Sequence, residues 1–566
     1  MAAPAPAVAG SRSWPARLLP DRYRRVIVSV LFGLLLVGGL RLVHDYGSFG
    51  DESLCRDSGQ VSLVYLYEVL PIGWLPTPVA ARLAARVAAV PAKYHLLNYR
   101  DRDYGVAFEL PMTLVEKVSG YTQMRDILFL RHTCVFLVCF AGLVAFYWLA
   151  TQRLGSWRAG LLGVLLLVLS PRQFADFFYN AKDGVFLACC VVATATAVAL
   201  LRRPRYRTAV AHALACAIAI DVRVVGVILP ACTLGLLAVR ATHGDYTGQR
   251  VGKAVGLYIG LLVLATIAFW PYLWAAPWAH FTEVFASMSH YKWDSPILHQ
   301  GRIIPTVRLL PWSYAPVWLG ITIPLLYLAG MLLSLGLLVQ QLARRGWRLY
   351  AIEGEWQDLL FWALGLGPLL AVMVLHSVLY DGWRQLYFVY PPLLLLALRG
   401  LVAAWRWQPP WPGWRASWPL LVGVGITASL ATIGRDMVRL HPLECLYFNK
   451  FAGTHPELRY EYDYWNLSFR QGLEWIAQHD ARPRIRVRSN NVMADVMNYY
   501  TLTPAEQARL VMVREPEPAD YLLTTYRFHW QPYPYGRPVY GLRVEDEGRR
   551  VFDIFRLPPP PADSAR

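Results

Sequence analysis

The chain has 566 residues, of which 56% are hydrophobic and 16% are charged, and it carries a formal net charge of +17. With 22 tryptophans and 32 tyrosines, this composition excludes an ordinary soluble domain and is typical of a multi-span membrane protein with aromatic residues at both membrane surfaces. The positive charge fits cytoplasmic loops and contacts with anionic membrane lipids. Since the sequence has no basic low-complexity tail and no recognisable nucleic-acid motif, we predict no nucleic-acid partner.

Apolar runs long enough to cross a hydrocarbon core of about 30 Å recur up to about residue 434. We predict eleven transmembrane helices, at residues 26–43, 132–150, 158–171, 184–201, 208–221, 223–239, 254–273, 315–340, 358–378, 386–404 and 416–433. The first run is too long for a cleaved signal and lacks a small-residue cleavage site, so we expect a retained span.

Arginines in the N-terminal tail and in four connecting segments all fall on one side of this predicted bundle. They are Arg12, Arg17, Arg22, Arg24, Arg25, Arg153, Arg158, Arg202, Arg203, Arg205, Arg207, Arg344, Arg345, Arg348, Arg406 and Arg415. Positive residues concentrate in short cytoplasmic loops, so this side, with the N-terminus, is predicted to face the cytoplasm.

Three larger pieces then lie on the outer side. The first outer loop, residues 44–131, is too long for a simple connector; its stretch 61–90 reads as amphipathic, and a second apolar–polar helix opens at Phe108, as expected of helices in the membrane interface. The loop 274–314 is rich in Trp, His and Pro, which suits an interfacial segment. These loops and the spans make up a membrane domain, residues 1–434.

Residues 435–566 form the third outer piece and read as a small α/β domain. Helix-like runs at 469–478 and 490–500 alternate with strand-like runs at 485–487, 510–513 and 521–524. A closing hairpin is predicted around residues 545–548, and the proline-rich end after Leu557 is predicted to be disordered.

An acid pair, Asp51-Glu52, comes directly after the first predicted span. Beside a membrane-embedded cavity, such a pair is a candidate general base or cation ligand; the alternative is a solvated surface pair. In the same loop, Asp101-Arg102-Asp103-Tyr104 has a DxD pattern, which a solvated loop explains equally well.

Further charges lie at the outer ends of predicted spans. Lys182-Asp183 begins the fourth span, where the lysine and the free amides of a helix N-terminus favour an anion, and Asp183 would orient a sugar hydroxyl or brace the lysine. The alternative is a plain helix cap with a lysine that reaches the membrane surface.

Two arginines at outer helix ends are candidate phosphate ligands. Arg223 lies in Asp221-Val222-Arg223 and Arg384 in Tyr380-Asp381-Gly382-Trp383-Arg384, and charges at membrane depth are functional candidates by default. The alternatives are a structural Asp221–Arg223 pair and an interfacial anchor at Arg384. No nucleotide-binding fingerprint, Gly-x-Ser-x-Gly elbow or pair of histidines with metal-ligand spacing is present.

The eight cysteines show no metal-ligand spacing. Only Cys55 and Cys445 fall outside the predicted spans, and both fall on the outer side, where a disulfide is permitted. A bridge between them and two unpaired thiols are both open, with the unpaired state slightly favoured.

Several of these stretches resemble the GT-C membrane glycosyltransferases, in particular bacterial relatives of the family 39 protein O-mannosyltransferases and the aminoarabinose (lipid A) transferases. The resemblance rests on Asp51-Glu52, on Asp183 heading a span, on the basic turn from Val222 to Gly226 and on Tyr390-Pro391-Pro392. Bacterial members of the group also carry stretches similar to 170–183, 447–449 and 462–465.

The resemblance implies a GT-C-like fold and an enzyme that transfers a sugar from a polyprenyl-phosphate-linked donor to a hydroxyl of a lipid, glycan or protein, commonly with inversion. It implies that Asp51 is the acceptor-activating base with Glu52 as its neighbour, that Asp183 lines the same cavity, and that Arg223 and Arg384 hold the phosphate. Some members of the group use a divalent cation and others do not. The further substrate-binding candidates are Asp103, Tyr104, Glu109, Arg172, Lys182 and Tyr390.

The stretch from Tyr104 to Glu109 lacks the His-Pro-Pro pattern of the eukaryotic mannosyltransferases, which argues against a protein Ser/Thr acceptor. A transporter or flippase of a lipid-linked or phosphorylated sugar is the main alternative; it predicts inverted repeats, and no clear repeat is seen. A membrane scaffold leaves the acid pair unexplained. We therefore expect an enzyme of the bacterial inner membrane with its site facing the periplasm or the outside.

Overall fold

A computed structural model describes residues 20–70, 81, 84–85, 95–246, 249–289, 291, 293, 295–346, 350, 352–527, 531–544 and 548–558. Within them the membrane domain is helical. Its helices are α1 (Arg24–Leu42), α2 (Glu52–Val69), α3 (Glu109–Ser119), α4 (Met124–Leu154), α5 (Trp157–Val168), α6 (Pro171–Tyr179), α7 (Asp183–Arg202), α8 (Tyr206–Val222), α9 (Ile228–Thr242), α10 (Gln249–Phe269), α11 (Pro277–Ser289), α12 (Tyr314–Thr322), α13 (Leu325–Arg345), α14 (Glu353–Leu375), α15 (Tyr390–Arg406) and α16 (Trp418–Leu440).

Nine helices in the described part of the chain are long and apolar enough to cross a membrane, and they match nine of the eleven predicted spans. They are Asp21–Leu42, Met124–Leu154, Asp183–Arg202, Val224–Thr242, Gln249–Phe269, Leu325–Arg344, Glu353–Leu375, Arg384–Arg406 and Trp418–Leu440. The predicted fifth span is α8, which has 17 residues. The prediction of a polytopic helical membrane protein is therefore confirmed.

The predicted third span is a bent pair rather than one straight helix. The axes of α5 and α6 differ by 76°. The bend falls where Pro171 begins α6, because proline lacks the amide proton that would continue the ladder of α5 and disfavours helical geometry in the residue before it. As a result α6 turns back into the protein, and eight of its nine residues are buried.

The segments rich in arginine meet at one end of the bundle. Arg158 pairs with Asp21 at 3.0 Å, Arg153 with Asp358 at 2.6 Å and Arg202 with Glu353 at 2.5 Å. These contacts confirm that the N-terminal segment and the two loops share one end, as the charge pattern predicted.

The outer pieces fold as short elements against the other end. Helix α2 covers the beginning of the predicted amphipathic stretch, and most of residues 71–94 lie outside the described residues. Helix α3 begins one residue after the predicted Phe108. The loop 274–314 contains α11 and a hairpin in which β1 (Ile297–His299) pairs with β2 (Arg302–Ile304).

The C-terminal domain has the predicted α/β architecture. Its strands are β3 (Ile485–Ser489), β4 (Leu510–Met512), β5 (Tyr521–Leu523), β6 (Tyr540–Val544) and β7 (Arg549–Arg556), in the order β4-β3-β5-β7-β6. β3 is parallel to β4 and β5, and β7 is antiparallel to β5 and β6. The predicted closing hairpin is thus present as β6–β7, although residues 545–547 of its turn lie outside the described residues. The proline-rich end from residue 559, predicted to be disordered, also lies outside them.

Helix α17 (Phe469–His479) packs on this sheet, and α18 (Val492–Tyr499) and α19 (Pro504–Arg509) complete the domain. Phe469, Leu473 and Ile476 recur at helical spacing and are fully buried. Gly472 lies so close to Leu523 and Phe552 that a Cβ atom there would be 2.9 Å and 3.2 Å from their side chains. The helix therefore sits directly against β5 and β7.

A histidine links the end of α16 to the first outer loop. His441 contacts Glu444 through Nδ1 at 2.8 Å and Asp45 through Nε2 at 3.1 Å. The hydrogen bond that His441 donates to Glu444, followed by the charge of Glu444 and the contact with Asp45, raises the pKa of His441 above its ordinary value of 6.5. The stabilisation from these pairs is therefore complete below about pH 6.5 and is lost as the pH rises through the raised value.

We therefore expect the melting temperature of the purified protein to fall between about pH 6 and pH 8, and His441→Gln to flatten that fall. Differential scanning fluorimetry in detergent over this range measures both. His376→Gln, at an exposed histidine without an ion pair among the described residues, is the control. An unchanged pH profile in His441→Gln would contradict the assignment.

Candidate active site

A chain of buried charges lies at the end of the bundle opposite the arginine-rich loops. Asp183, the first residue of α7, contacts Arg223 through Oδ1 and Arg384 Nη1 through Oδ2, the latter at 3.0 Å. Asp183 and Arg384 are 1% and 4% exposed, whereas the Arg223 side chain keeps 19% exposure. The two arginines come from the ends of different helices, so only the tertiary fold brings them to one carboxylate.

The chain continues into the C-terminal domain. Asp381 accepts from Arg384 Nη2 at 3.1 Å through Oδ2 and from Arg527 through Oδ1. The successive ion pairs thus join the residues in the order Arg223–Asp183–Arg384–Asp381–Arg527. This cluster contains three arginines and two aspartates. The cluster keeps an excess positive charge in a dry environment, which favours an anionic ligand.

Lys182 adds a fourth cation. Its Nζ atom lies 4.0 Å from the ring centroid of Tyr104, a cation–π contact, and among the described residues it has no carboxylate partner. Burial raises the pKa of Tyr104 to about 12, so the phenol stays neutral beneath the ammonium group. Lys182 is therefore available for an anionic group, while Asp183 next to it binds the two arginines and does not brace the lysine.

Asp51 is a carboxylate in this region whose side chain has no partner among the described residues. It lies at the start of α2, half-buried, and within the described part of the chain its side chain makes no hydrogen bond or ion pair. Its charge nevertheless acts on both Lys182 and Arg384. Asp51 thus combines an uncommitted carboxylate with proximity to the cations, so it is free to accept a proton from a substrate held there.

Glu52 lies in a different environment from Asp51. It is 2% exposed, accepts from Ser48 Oγ at 2.5 Å, and contacts His132 at 3.1 Å and Arg131 at 3.9 Å. Glu109 pairs with the same Arg131. The alternative of a solvated surface pair therefore does not hold for Glu52, and Glu52 and Glu109 belong to a buried network that anchors α2 and α3 to α4. The signal for this network was the Arg131-His132 pair at the head of the second predicted span.

An open cleft of about 590 Å³ lies beside Tyr104, the residue whose ring contacts Lys182. It is lined by Arg100, Asp101, Asp103, Tyr104, Ser287, Met288 and Tyr291. The ring of Tyr380 stacks on Tyr291 at 6.0 Å and on Trp293 at 3.8 Å, and its centroid lies 5.0 Å from the Arg384 guanidinium. Aromatic faces therefore run from the cleft to the arginines, a surface suited to the flat face of a sugar ring.

Arg172 and Tyr390 are used to hold the bent helix α6. Arg172 Nε donates to the Tyr447 carbonyl at 2.8 Å and its guanidinium lies 4.6 Å from the Phe448 ring. The Tyr390 hydroxyl shares a 2.7 Å hydrogen bond with Ser170 Oγ. The structure does not bring these two side chains to the cation cluster.

Arg172 also lines a small enclosed pocket with two buried acids of the C-terminal domain, Glu461 and Asp463. Burial raises the pKa of both carboxyls, that of Asp463 to about 6. Asp463 nonetheless accepts from the Leu467 and Ser468 amides at 2.9 Å and 3.2 Å, which fixes the turn before α17.

The structure also decides the alternatives left open for the arginine motifs. Asp221 accepts from the Ala107 amide at 2.6 Å and makes no pair with Arg223, so it holds the first outer loop instead. A Cβ on Gly105 would be 1.8 Å from the Asp221 carbonyl oxygen, which requires glycine there. Arg384 is buried, not an interfacial anchor.

Metal ligation has a limited basis in the part of the chain that the structure describes. No group of three or more His, Cys, Asp or Glu side chains there could hold a metal ion. Asp51 and Asp103 are the carboxylates near the cations that have no protein partner among these residues. Any cation at this site would depend on ligands from the substrates as well.

Cys55 and Cys445 are unpaired and buried. We expect the unfolded, unreduced protein to react with thiol reagent at all eight cysteines, as counted by intact-mass spectrometry. The native protein should react slowly at both residues because neither thiol is accessible. Modification of only six cysteines before reduction, and of eight after it, would contradict the unpaired state.

Comparisons with known proteins give matches in structure alone. No protein-family model and no curated protein matches the chain, whereas fifteen chains of solved structures match. One is the crystal structure of ArnT from Cupriavidus metallidurans bound to undecaprenyl phosphate, with 14% identity, 94% of this chain and 98% of that chain covered, and a TM-score of 0.43. The apo state of the same protein gives 15% identity, the same coverage and a TM-score of 0.46.

Proposed function

We propose that this chain is a membrane glycosyltransferase that moves a sugar from a polyprenyl-phosphate-linked donor to an acceptor hydroxyl of a lipid, glycan or protein. One observation carries the proposal. An uncommitted carboxylate, Asp51, lies within electrostatic reach of Lys182 and Arg384, at the end of the helix bundle opposite the arginine-rich loops. A base facing a set of cations is the arrangement that transfer from a phosphate-linked sugar needs.

The cations serve the leaving group. A sugar attached to a lipid phosphate is already activated, so no nucleotide site is required. Arg223 keeps a partly exposed planar guanidinium group that can hold two phosphate oxygens. Arg384 has both Nη atoms on aspartates and can offer its Nε–H, and Lys182 adds a compact charge. Because these groups are fixed by Asp183 and Tyr104 before the donor arrives, they stabilise the charge that develops on the phosphate without reorganising.

Asp51 serves the acceptor. Its carboxylate takes the proton of the acceptor hydroxyl as that oxygen attacks the anomeric carbon from the side opposite the phosphate. The new glycosidic bond forms as the bond between the anomeric carbon and the phosphate oxygen breaks, and polyprenyl phosphate leaves with the electron pair. Attack from the opposite side inverts the anomeric centre.

The orientation in the membrane follows from the two ends of the bundle. The arginine-rich loops meet at one end, which we place in the cytoplasm, and the cation cluster lies at the other. The site would then face the periplasm or the outside of a bacterial inner membrane. A polyprenyl phosphate could reach it from the bilayer with its head group at the level of Arg223.

The direct test combines binding with product analysis. Native mass spectrometry of the purified protein is expected to show one bound polyprenyl phosphate, and mass spectrometry of glycolipids and glycoproteins from cells with and without the chain is expected to reveal a missing sugar. Movement of the lipid-linked sugar across proteoliposome membranes without any transfer product would favour the transporter and contradict the enzyme.

Replacement of Arg223 tests the phosphate site. Arg223→Lys keeps the charge but loses the two-pronged geometry, so the donor KM is expected to rise a few-fold, and Arg223→Ala is expected to raise it about tenfold or more. Arg302→Ala, at an exposed arginine of β2, is the control and should leave the donor KM unchanged.

Arg384→Ala is expected to raise the donor KM and also to lower stability, because Arg384 bridges two buried aspartates. If the alanine variants of Arg223 and Arg384 both bind polyprenyl phosphate like the parent, the phosphate site lies elsewhere, with Lys182 as the next candidate.

A further inference from the structure

The two halves of the candidate site are each held by the C-terminal domain. We infer that Asn498 and Arg527 of that domain are positioning residues, Asn498 acting on Asp51 through the loop before it and Arg527 acting on Arg384 through Asp381. The inference rests on the proposed function and extends it, since it makes the outer domain a working part of the site.

The first contact fixes the loop that leads to Asp51. The buried Asn498 side chain accepts a hydrogen bond from the Ser48 amide and donates one to the Ser48 carbonyl, both at 3.1 Å. It therefore satisfies both backbone groups of Ser48, as the backbone of a neighbouring β-strand would. A Cβ on Gly47 would be 2.5 Å from Asn498 Oδ1, which shows how closely the two segments approach. Arg470 adds a hydrogen bond to the Tyr46 carbonyl at 2.9 Å.

Tyr46 also holds this loop, since it donates to Glu444 at 3.1 Å and stacks on Phe178, but Asn498 is the side chain that binds the Ser48 amide and carbonyl. Ser48 is fully buried and lies three residues before Asp51, whose own side chain has no protein partner among the described residues. The direction of the Asp51 carboxylate is therefore set by its backbone. Loss of both Asn498 hydrogen bonds would let that backbone shift and leave the Ser48 groups buried and unsatisfied.

The second contact fixes the arginine at the centre of the cation cluster. Asp381 has a positive φ of 56° and divides its two carboxylate oxygens between Arg384 and Arg527. Without Arg527, the Asp381 charge would be balanced by Arg384 alone. Arg384 would then be drawn from the position in which Asp183 also holds it, at 3.0 Å.

Trp465 connects the two contacts. Its ring lies 4.9 Å from the Arg384 guanidinium and 5.1 Å from the ring of Phe49, which is in the loop before Asp51. The C-terminal domain therefore touches the base side and the phosphate side of the site through one aromatic residue, in addition to the two polar contacts.

The two roles predict different kinetic effects. Asn498→Ala displaces the base and is expected to lower kcat about tenfold with an unchanged donor KM, whereas Arg527→Ala displaces a phosphate ligand and is expected to raise the donor KM about tenfold. Arg527→Lys keeps the charge on Asp381 and should recover part of the loss, with a donor KM about threefold above the parent.

The experiment measures kcat, donor KM and the Kd for polyprenyl phosphate on the full-length protein in detergent. The controls are variants of the same domain that lose contacts within it. Arg482→Ala removes ion pairs to Asp480 and Asp520 at 2.6 Å and 2.8 Å, and Gln507→Ala removes hydrogen bonds to the carbonyls of Leu502 and Tyr500. Both controls are expected to keep the parental kcat and donor KM.

The inference is supported if Asn498→Ala lowers kcat alone, Arg527→Ala raises the donor KM, and neither control changes either constant. The inference is overturned if the site variants behave like their controls. It is also overturned if kcat falls and the donor KM rises together, in proportion to a lower melting temperature. Should Arg527→Ala fail to fold, Arg527→Lys decides by the same comparison. A parent protein that neither binds polyprenyl phosphate nor transfers a sugar overturns the proposed function first, and this inference with it.

Discussion

Replacement of Asp51 by asparagine is expected to lower the turnover of sugar transfer about 100-fold or more while donor binding persists. Asparagine keeps the size of the side chain and its hydrogen-bonding capacity but cannot take the acceptor proton. Because the Asp51 carboxylate has no partner among the described residues, its removal breaks no ion pair there and loses only its attraction for Lys182 and Arg384, so the stability of the folded protein should change little. Rates measured on purified protein, together with the Kd for polyprenyl phosphate, separate the two effects.

Asp436→Asn is the matched control for this experiment. Asp436 lies near the end of α16 at the same end of the bundle and makes a 3.3 Å pair with Arg435, whose side chain is exposed. Surface pairs of this kind contribute little, so activity and stability should both remain. Near-parental turnover of Asp51→Asn would remove Asp51 from the role of base and make Asp103, a carboxylate of the cleft without a protein partner among the described residues, the next candidate.

The second large effect is expected at Asp183, and it is an effect on stability. Asp183→Ala leaves Arg223 and Arg384 without their shared carboxylate, and the loss of one partner from a buried ion pair costs about 3–5 kcal/mol. Asp183→Asn should cost less because the amide oxygen still accepts a hydrogen bond. Thermal unfolding in detergent, followed by tryptophan fluorescence, compares the variants, with Asp436→Ala as the control.

The double replacement with Arg223→Ala gives a sharper version of this test. If the cost arises from an unbalanced arginine, removal of one arginine together with Asp183 should restore part of the stability, since fewer buried charges are then unpaired. An Asp183→Ala protein that unfolds at the parental temperature would show that water, not Asp183, balances the two arginines.

The acid pair shows where sequence reasoning reached its limit. Asp51 and Glu52 were assigned together because they are adjacent after a span. Helix α2 begins at Glu52, so that side chain turns inward to His132 and Arg131, whereas Asp51 stays at the helix start without a partner. A local motif identifies the acids, but the direction of each depends on where a helix begins and on what packs beside it.

The arginines show the same division. The positions of Arg223 and Arg384 at outer helix ends follow from the apolar runs, but their shared partner does not. The obvious candidate, Asp221, is two residues from Arg223 and binds the Ala107 amide instead, whereas Asp183 is the first residue of α7, the helix that precedes α8. Arg527 gave no sequence signal at all, since it is 146 residues from Asp381 in an ordinary α/β domain.

The sequence by itself determined the helical membrane domain, the shared end of its arginine-rich loops, the α/β domain after the last span and the outer helix ends that carry charge. These follow from hydrophobic length and charge asymmetry, which act locally along the chain. Only the tertiary structure decided which carboxylate balances which arginine, that Asp51 alone of its pair has no partner among the described residues, and that the C-terminal domain contacts both the loop before Asp51 and Asp381. Such pairings depend on burial, because a charge taken out of water must find a partner wherever the fold supplies one.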